Sequence, residues 1–595
     1  MSFHPNEIAR RGRFASVGLI VLFGVLAARF FSMQVLQHAE YVLRSDRNRL
    51  NEVPLPAPRG IVYDRNGVII AENVPGFTVS ILAPREDSLN AALARLSERI
   101  PLTQRQVYAA VVRHRESPNR PTVLFADAPF DVVSVLEEHR VEFPGLIIQS
   151  APKRHYPDST IVSAFIGYTG DIDERDLDRD TAHVYKAGQI IGKTGLEREY
   201  ETQLRGQEGS RFVEVDAKQR VVRDEGVRAE LPPVAGPALK TNIDMDLQRF
   251  VAGLFADSLV GAAIALDPST GGVLALLSAP GYDPNRFVGG LTPQYMDTLN
   301  KDPRRPLVNK AVQDFYPPGS TWKLATAIIG LQKGVVSLDD KMPKPCDGTF
   351  PFGDRVWHCW EKDGHGAVDL IHAIEKSCDV YFYQLGLKIG LANLVSEGRA
   401  MLFGDTTGID LPNEHRPDFP DPNPSLKAYF VSRFGPNGYT PQARAINMAI
   451  GQDANSQTVI NMARFYTALA TDGQAATPSV AQRNVVRKRL FQIPTPELDS
   501  LRMAMSAVVS SAGTAASAAI KGIALAGKTG SAQTARGRAA HGWFVGFAPV
   551  DQPKIVVAVL LEFGEHGDRA ARIASKIVEH YLKAAVVAPA VTGDD

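Results

Sequence analysis

The stretch Tyr316-Pro317-Pro318-Gly319-Ser320-Thr321-Trp322-Lys323 constrains the fold more than any other. Two prolines and a glycine forbid a helix before Ser320. The residues that follow, Leu324 to Lys333, form a helical run that stops at Gly334. Ser320 therefore sits at a helix N-terminus, where free backbone N–H groups and the helix dipole favour developing negative charge. Lys323 lies three residues on, nearly one turn, so its amine can reach the Ser320 hydroxyl. A serine alcohol is a weak nucleophile and needs such a neighbour. A lysine serves as that neighbour only where burial or another cation leaves it neutral.

Alone, Ser-x-x-Lys also arises by chance and on solvated helix faces. Two further elements give it weight. Ser377-Cys378-Asp379 lies downstream in a helix-like apolar segment, and Lys528-Thr529-Gly530-Ser531 ends the small apolar run Ile523 to Gly527. Order and spacing match the Ser-x-x-Lys, Ser-Asp-Asn and Lys-Thr-Gly set of penicillin-binding proteins and serine β-lactamases. The middle motif here reads Ser-x-Asp, so the match rests on Ser377 and a polar third residue.

The rest of the chain supplies a setting for these motifs. Its 595 residues are ample for several cores, and its net charge of zero gives no argument for nucleic acid or another polyanion as partner. Three cysteines are too few for a disulfide scaffold. Residues 1–13 are polar and carry Arg10, Arg11 and Arg13; residues 14–36 are mostly apolar and long enough to span a bilayer. Arg29 lies near the far end of that run, where it can snorkel. An uncleaved anchor is expected, with a cleaved signal peptide as the alternative. The arginines place residues 1–13 in the cytoplasm and the rest of the chain outside it.

Residues 37–235 read as a pedestal, polar and built of short strands and helices. Arg59 to Gly67 suggests a strand and an Asn-Gly turn; Val68 to Ile70 and Thr78 to Leu82 extend the β pattern; Leu89 to Ile100 and Leu102 to Arg113 suggest helices. No catalytic constellation is found here, and a spacer and docking role is expected. Lys193-Thr194-Gly195 repeats the later Lys-Thr-Gly but precedes Ser320, and reads as a turn into a helix from Leu196 to Leu204. Glu86 to Asn90 resembles a β-lactamase glutamate motif but lies far upstream, and reads as a helix start.

The joint Leu231-Pro232-Pro233 introduces a second domain, residues 236–583. A helix from Leu247 to Ser258 precedes a hairpin of residues 261–266 and 272–277. Helical runs follow to about residue 515, then strands at Lys528, His541 to Phe547 and Ile555 to Glu562, and a helix from Arg569 to Leu582. This is an α+β pattern, an antiparallel sheet covered by helices. Residues 584–595 are expected to be a flexible tail.

With these motifs, with Arg59-Gly60 and Asp64-Arg65-Asn66-Gly67, with Trp357, Trp360 and Gly364-His365-Gly366, and with His541-Gly542-Trp543, the chain resembles the class B penicillin-binding proteins, specifically the elongation-type penicillin-binding protein 2 group. The resemblance runs from the anchor to about residue 583. It implies a transpeptidase domain on an elongated pedestal of the dimerisation type, without glycosyl-transferring activity. It implies that Ser320 attacks the carbonyl between the terminal D-alanines of a peptidoglycan stem peptide and that Lys323 takes its proton. Ser377 relays a proton to the departing D-alanine, and Asp379 holds its loop. Lys528 supplies positive charge, Thr529 and Ser531 bind the substrate carboxylate, and Gly530 lets the substrate backbone lie close. The backbone N–H groups of Ser320 and Ser531 form the oxyanion hole. β-Lactams would acylate Ser320. The implied partners are a membrane glycosyltransferase of the shape, elongation, division and sporulation (SEDS) type and a rod-complex scaffold on the pedestal. A DD-carboxypeptidase uses the same residues. A β-lactamase would need a water-activating glutamate motif after Ser377, and a β-lactam sensor would need a cytoplasmic module longer than residues 1–13.

The cysteines point to something further. Cys346, Cys359 and Cys378 fall within one short stretch with His365 between the last two. Three thiolates and an imidazole are a complete tetrahedral set for structural zinc. Cys346-Asp347-Gly348 is a turn, and Gly364 and Gly366 let His365 project. In an extended segment Cys378 faces away from Ser377 and Asp379, so the metal would brace the active-site loop from behind. Alternatives are a Cys346–Cys359 disulfide, which an oxidising compartment permits, and His358 in place of His365. No organic cofactor is expected.

Overall fold

The computed structural model describes residues 5–38, 50–116, 120–182, 184–186, 189–216, 221–223, 229–255, 258–510, 513–533, 539–564 and 566–587. Its first element is the helix Pro5–Phe31, continued by a wider helical turn, Ser32–Leu36. Gly12–Leu36 is long and apolar enough to cross a membrane. Phe14, Ile20 and Phe23 point outward from it, as lipid-facing side chains do.

In the pedestal one long strand, Ile69–Ile81, covers both β segments expected there and pairs antiparallel with Leu146–His155. The Asn66-Gly67 turn forms because the Asp64 carboxylate accepts the N–H groups of Asn66 and Val68, both at 2.7 Å. The helices are Glu86–Arg99 and Gln104–Glu116. The first begins before Leu89 because Glu86 and Asp87 complement its N-terminal dipole. The expected helix after Gly195 is two pieces, Gly195–Glu199 and Glu201–Leu204, broken at Tyr200, whose hydroxyl donates to Asp410 at 2.8 Å. Lys193 pairs with Asp176 in the turn before them.

One pedestal feature escaped the sequence reading. Glu197 is fully buried and takes the guanidinium groups of Arg59 and Arg154, the latter at 2.6 Å, with the Tyr156 hydroxyl at 3.2 Å. A buried carboxylate persists only where charges and donors meet it. This cluster ties the Arg59-Gly60 segment to two distant parts of the pedestal; Arg154 also donates to the Gly60 carbonyl at 2.9 Å.

The second domain is organised by a five-stranded antiparallel sheet, ordered Val273–Ala279, Gly261–Leu266, Ile555–Leu561, His541–Ala548 and Ala526–Ala532. The first three of these strands are almost wholly apolar because both their faces are covered, while the edge strand Ala526–Ala532 carries Lys528, Thr529 and the exposed Ser531. Ala263, Ala265, Val557 and Val559 pack against Met245–Phe255 and Gly567–Val587. Ile264, Leu266, Val556 and Ala558 alternate to the other face, toward Lys323–Gln332 and Val459–Ala470. The α+β expectation holds. The terminal helix runs through Val587, past the expected start of the tail at Ala584; residues 588–595 lie outside the described residues.

Candidate active site

Gly319–Trp322 is a tight 3-10 turn that opens directly into the helix Lys323–Gln332. Ser320 is half-buried on that turn. Gly319 has φ +55°, and a Cβ there would stand 2.9 Å from the Ser531 carbonyl oxygen. Only glycine both takes that conformation and lets the turn lie against the sheet edge. The Gly319 N–H donates to the Gly451 carbonyl at 2.9 Å, and the Trp543 indole donates to the Pro317 carbonyl at 3.0 Å.

Lys323 is fully buried. Its Nζ donates to the Ser377 carbonyl at 2.7 Å, to Ser377 Oγ at 3.2 Å and to Asp379 Oδ1 at 2.8 Å. These three contacts hold the amine against the middle motif. The middle motif is not inside a helix, as its apolar surroundings suggested. Ser377 lies between the helices Leu370–Glu375 and Asp379–Ile389, with φ +53°, and Cys378 is extended. That break turns Ser377 and Asp379 together onto Lys323. Asp379 does more than hold its own loop: Oδ1 pairs with Lys323, and Oδ2 accepts the Trp360 backbone N–H at 3.1 Å.

Lys528 is also fully buried, on the edge strand Ala526–Ala532. Burial first, and then the charge of Lys323, hold it well below the usual lysine range, with Asp379 opposing. Lys528 and Gly530 share one face of the strand, and Thr529 and Ser531 the other. Ser531 is exposed; Thr529 Oγ1 lies 2.9 Å from Thr514 Oγ1, a residue no sequence motif marked. Gly530 has a second reason to be glycine. A Cβ there would stand 2.8 Å from the Pro318 carbonyl oxygen, so the Ser320 turn itself needs that space.

Cys346, Cys359, His365 and Cys378 converge behind the middle motif, with their Sγ and ring nitrogen atoms all within 4.8 Å of one another. His365 Nδ1 is 3.7 Å from Cys346 Sγ and 3.5 Å from Cys359 Sγ. All three cysteines are free, so the Cys346–Cys359 disulfide is not formed. His358 is exposed and outside the cluster, and its carbonyl accepts the Tyr383 hydroxyl at 2.9 Å. Gly364 is required where it stands, since a Cβ would lie 2.1 Å from the Cys346 carbonyl oxygen.

The family described as penicillin binding protein transpeptidase domain matches residues 261–579, more than half of the chain. The chain belongs to this family of penicillin-binding proteins. A second family, the penicillin-binding protein dimerisation domain, matches residues 54–241. This penicillin-binding protein is 33% identical to the peptidoglycan D,D-transpeptidase MrdA of Acinetobacter baumannii, over 96% of the chain and 88% of the relative. It is 31% identical to the protein of that name from Escherichia coli K12, over 96% and 94%. A solved complex of penicillin-binding protein 2 with MreC from Helicobacter pylori superposes with a TM-score of 0.78 at 27% identity, covering 90% of this chain and all of that one. The Pseudomonas aeruginosa penicillin-binding protein 2 with the compound WCK 5153 gives 0.66 at 27%, covering 89% and 97%.

Proposed function

We infer that this penicillin-binding protein is a serine-type peptidoglycan D,D-transpeptidase that cross-links stem peptides during cell elongation, with Ser320 as nucleophile. One observation carries the assignment of residues: Lys323, one turn after Ser320, is buried with its Nζ on Ser377 and Asp379. Ser320 Oγ attacks the carbonyl between the two terminal D-alanines, and Lys323 takes the hydroxyl proton. Ser377 Oγ, 3.2 Å from Lys323 Nζ, passes a proton to the departing D-alanine nitrogen as the C–N bond breaks. Asp379 holds Lys323 in register. The amine of a neighbouring stem then attacks the acyl-enzyme, gives up a proton through the same groups, and restores Ser320. The edge strand Ala526–Ala532 offers a template on which the stem peptide adds as a further strand. Thr529 and Ser531 offer hydroxyls to the substrate carboxylate, and Lys528, whose Nζ donates to the Thr529 carbonyl at 3.2 Å, braces the strand beneath it. The backbone N–H groups of Ser320 and Ser531 form the oxyanion hole. β-Lactams acylate Ser320 in place of substrate.

The cluster of Cys346, Cys359, His365 and Cys378 fits structural zinc. Tetrahedral bonds of about 2.3 Å to sulfur and about 2.0 Å to nitrogen place S and N atoms about 3.5 Å apart. The two S–N separations, 3.7 and 3.5 Å, agree with that. Four protein ligands leave no open position, so the ion would stabilise the loop around Asp379 and take no part in acyl transfer.

The helix from Gly12 supports a single-pass anchor at residues 14–36, with residues 1–13 cytoplasmic and the pedestal (37–235) and transpeptidase domain (236–583) in the periplasm of an inner membrane. A rod-complex scaffold docks on the pedestal, a reading supported by the Helicobacter pylori complex with MreC. A SEDS-type glycosyltransferase in the membrane supplies the glycan strands.

Ser320→Ala should abolish covalent labelling by a fluorescent penicillin while the thermal unfolding of the protein is unchanged. Labelling that survives removes Ser320 from its role. Incubation of the wild type with a donor stem peptide and an amine acceptor should yield the cross-linked product; hydrolysed donor alone would assign a carboxypeptidase.

A further inference from the structure

We propose that Glu562 is a positioning residue for catalysis, holding the Ser320 turn in place through Tyr316. The inference rests on the reading of Ser320 as nucleophile. Tyr316 is the last residue before Pro317-Pro318-Gly319-Ser320. Its hydroxyl lies 2.6 Å from Glu562 Oε1 and 3.1 Å from Asp314 Oδ2. A phenol has one proton to give, and the shorter contact assigns it to Glu562. Arg305 Nη2 bridges the same two carboxylates, 2.8 Å from Glu562 and 2.6 Å from Asp314. The Glu562 side chain is only 6% exposed, so its charge is kept by these two partners and not by water. The strand end does not call for that carboxylate: the Glu562 backbone N–H already donates to the Val260 carbonyl at 2.8 Å.

Two prolines fix φ over half of the path from Tyr316 to Ser320, so a displacement of Tyr316 is passed on and not absorbed. The tyrosine is set from several sides. Its backbone exchanges hydrogen bonds with Gln457, at 2.9 and 2.8 Å. Its ring meets His541 and Trp543 edge-on, with centroids 5.1 and 6.4 Å away. Trp543 in turn holds the Pro317 carbonyl. Of these contacts, the hydroxyl bond to Glu562 is the one that fixes how far Tyr316 reaches toward the last strand. A serine displaced by about an ångström from its attack position loses about 100-fold in rate.

The test separates binding from chemistry. Acylation of the full-length protein by a chromogenic cephalosporin, followed by stopped flow over a range of concentrations, yields the pre-covalent dissociation constant and the acylation rate constant. Tyr316→Phe and Glu562→Leu should each slow acylation about 10- to 100-fold, with the dissociation constant within about 2-fold of wild type. Glu562→Gln, whose amide oxygen still accepts from Tyr316, should recover to within about 5-fold. The double variant Tyr316→Phe/Glu562→Leu should be no slower than the slower single. A wild-type acylation rate in Tyr316→Phe overturns the proposal, as does a loss confined to the dissociation constant, an additive double variant, or Glu562→Gln no faster than Glu562→Leu. If Glu562→Leu does not fold, Tyr316→Phe and Glu562→Gln give the same decision. Should Ser320→Ala retain labelling, the nucleophile assignment fails; should Ser320→Ala lose labelling while these variants acylate normally, only the positioning role fails.

Discussion

Asp379 sets its negative charge against two buried lysines, Lys323 and Lys528, and Asp379→Asn removes the charge while keeping the shape. At 2.8 Å and an effective dielectric of about 20, the attraction between Asp379 and Lys323 is about 6 kcal/mol before desolvation is counted. Removing one partner of a buried pair typically costs about 3–5 kcal/mol, because the other charge stays behind unpaired. Hydrogen bonding adds to the cost. Asp379 accepts from Lys323 with one oxygen and from the Trp360 N–H with the other, and asparagine has one oxygen for both. We expect Asp379→Asn to lose about 4 kcal/mol of stability at pH 7. Burial and the charge of Lys323 hold Lys528 below its unfolded value, so between the two values the unfolded chain binds more protons and stability rises with pH. Removing the opposing charge of Asp379 lowers Lys528 further and carries that rise to lower pH. Chemical unfolding of the detergent-solubilised protein at pH 7, followed by tryptophan fluorescence, reads the loss. A loss under about 1 kcal/mol would refute the reasoning.

Lys323→Ala should slow acylation by at least about 100-fold in the same stopped-flow assay, and an unchanged rate would give the base role to another group. Metal analysis of the purified protein should find about one zinc per chain; Cys378→Ser should lose metal and stability together, and a metal-free wild type would end the zinc reading. Lys310 is fully buried, its Nζ donating to the Arg305 carbonyl at 3.1 Å, and burial pushes it down to about 8. Keeping it charged at pH 7 costs about 3 kcal/mol. Lys310→Met should therefore be more stable than wild type at pH 7, and that advantage should fade between pH 8 and 10.5 as the wild type gains; parallel stability curves would exclude it.

What could be read from the sequence was local. The break at Pro317-Pro318-Gly319, the helix after Ser320 and the strand carrying Lys528 each follow from a few adjacent residues. The strands Gly261–Leu266, Val273–Ala279 and Ile555–Leu561 were legible as apolar runs because both of their faces are buried. The helix start at Glu86 was legible from its own acidic residues, three positions before the apolar period begins at Leu89. Single long-range partners left no local mark: Glu197 between two arginines, Tyr200 on Asp410, Thr514 on Thr529 and Tyr316 on Glu562. Gly530 was read as room for substrate, and the Pro318 carbonyl that also claims the space comes from a turn two hundred residues away.

The middle motif shows how the two kinds of information combine. Alternation in an extended segment would put Cys378 opposite Ser377 and Asp379; only Cys378 is extended, and the left-handed Ser377 and the helix from Asp379 make the turn instead. What it accomplishes needs the fold. Cys378 faces Cys359 in the thiol cluster, and the next residue after Cys359 is Trp360, whose N–H holds Asp379. The Trp360 indole donates to the Lys376 carbonyl at 3.1 Å, one residue before Ser377. The loop from Cys359 to His365 therefore grips the motif at its start and at its end. Lys323 meets Asp379 and Ser377, and the loop beside the cysteines meets Asp379 and Lys376 in turn. Ser-x-Asp, with two carboxylate oxygens, can serve Lys323 and this loop at once; Ser-x-Asn, with one, must choose between them.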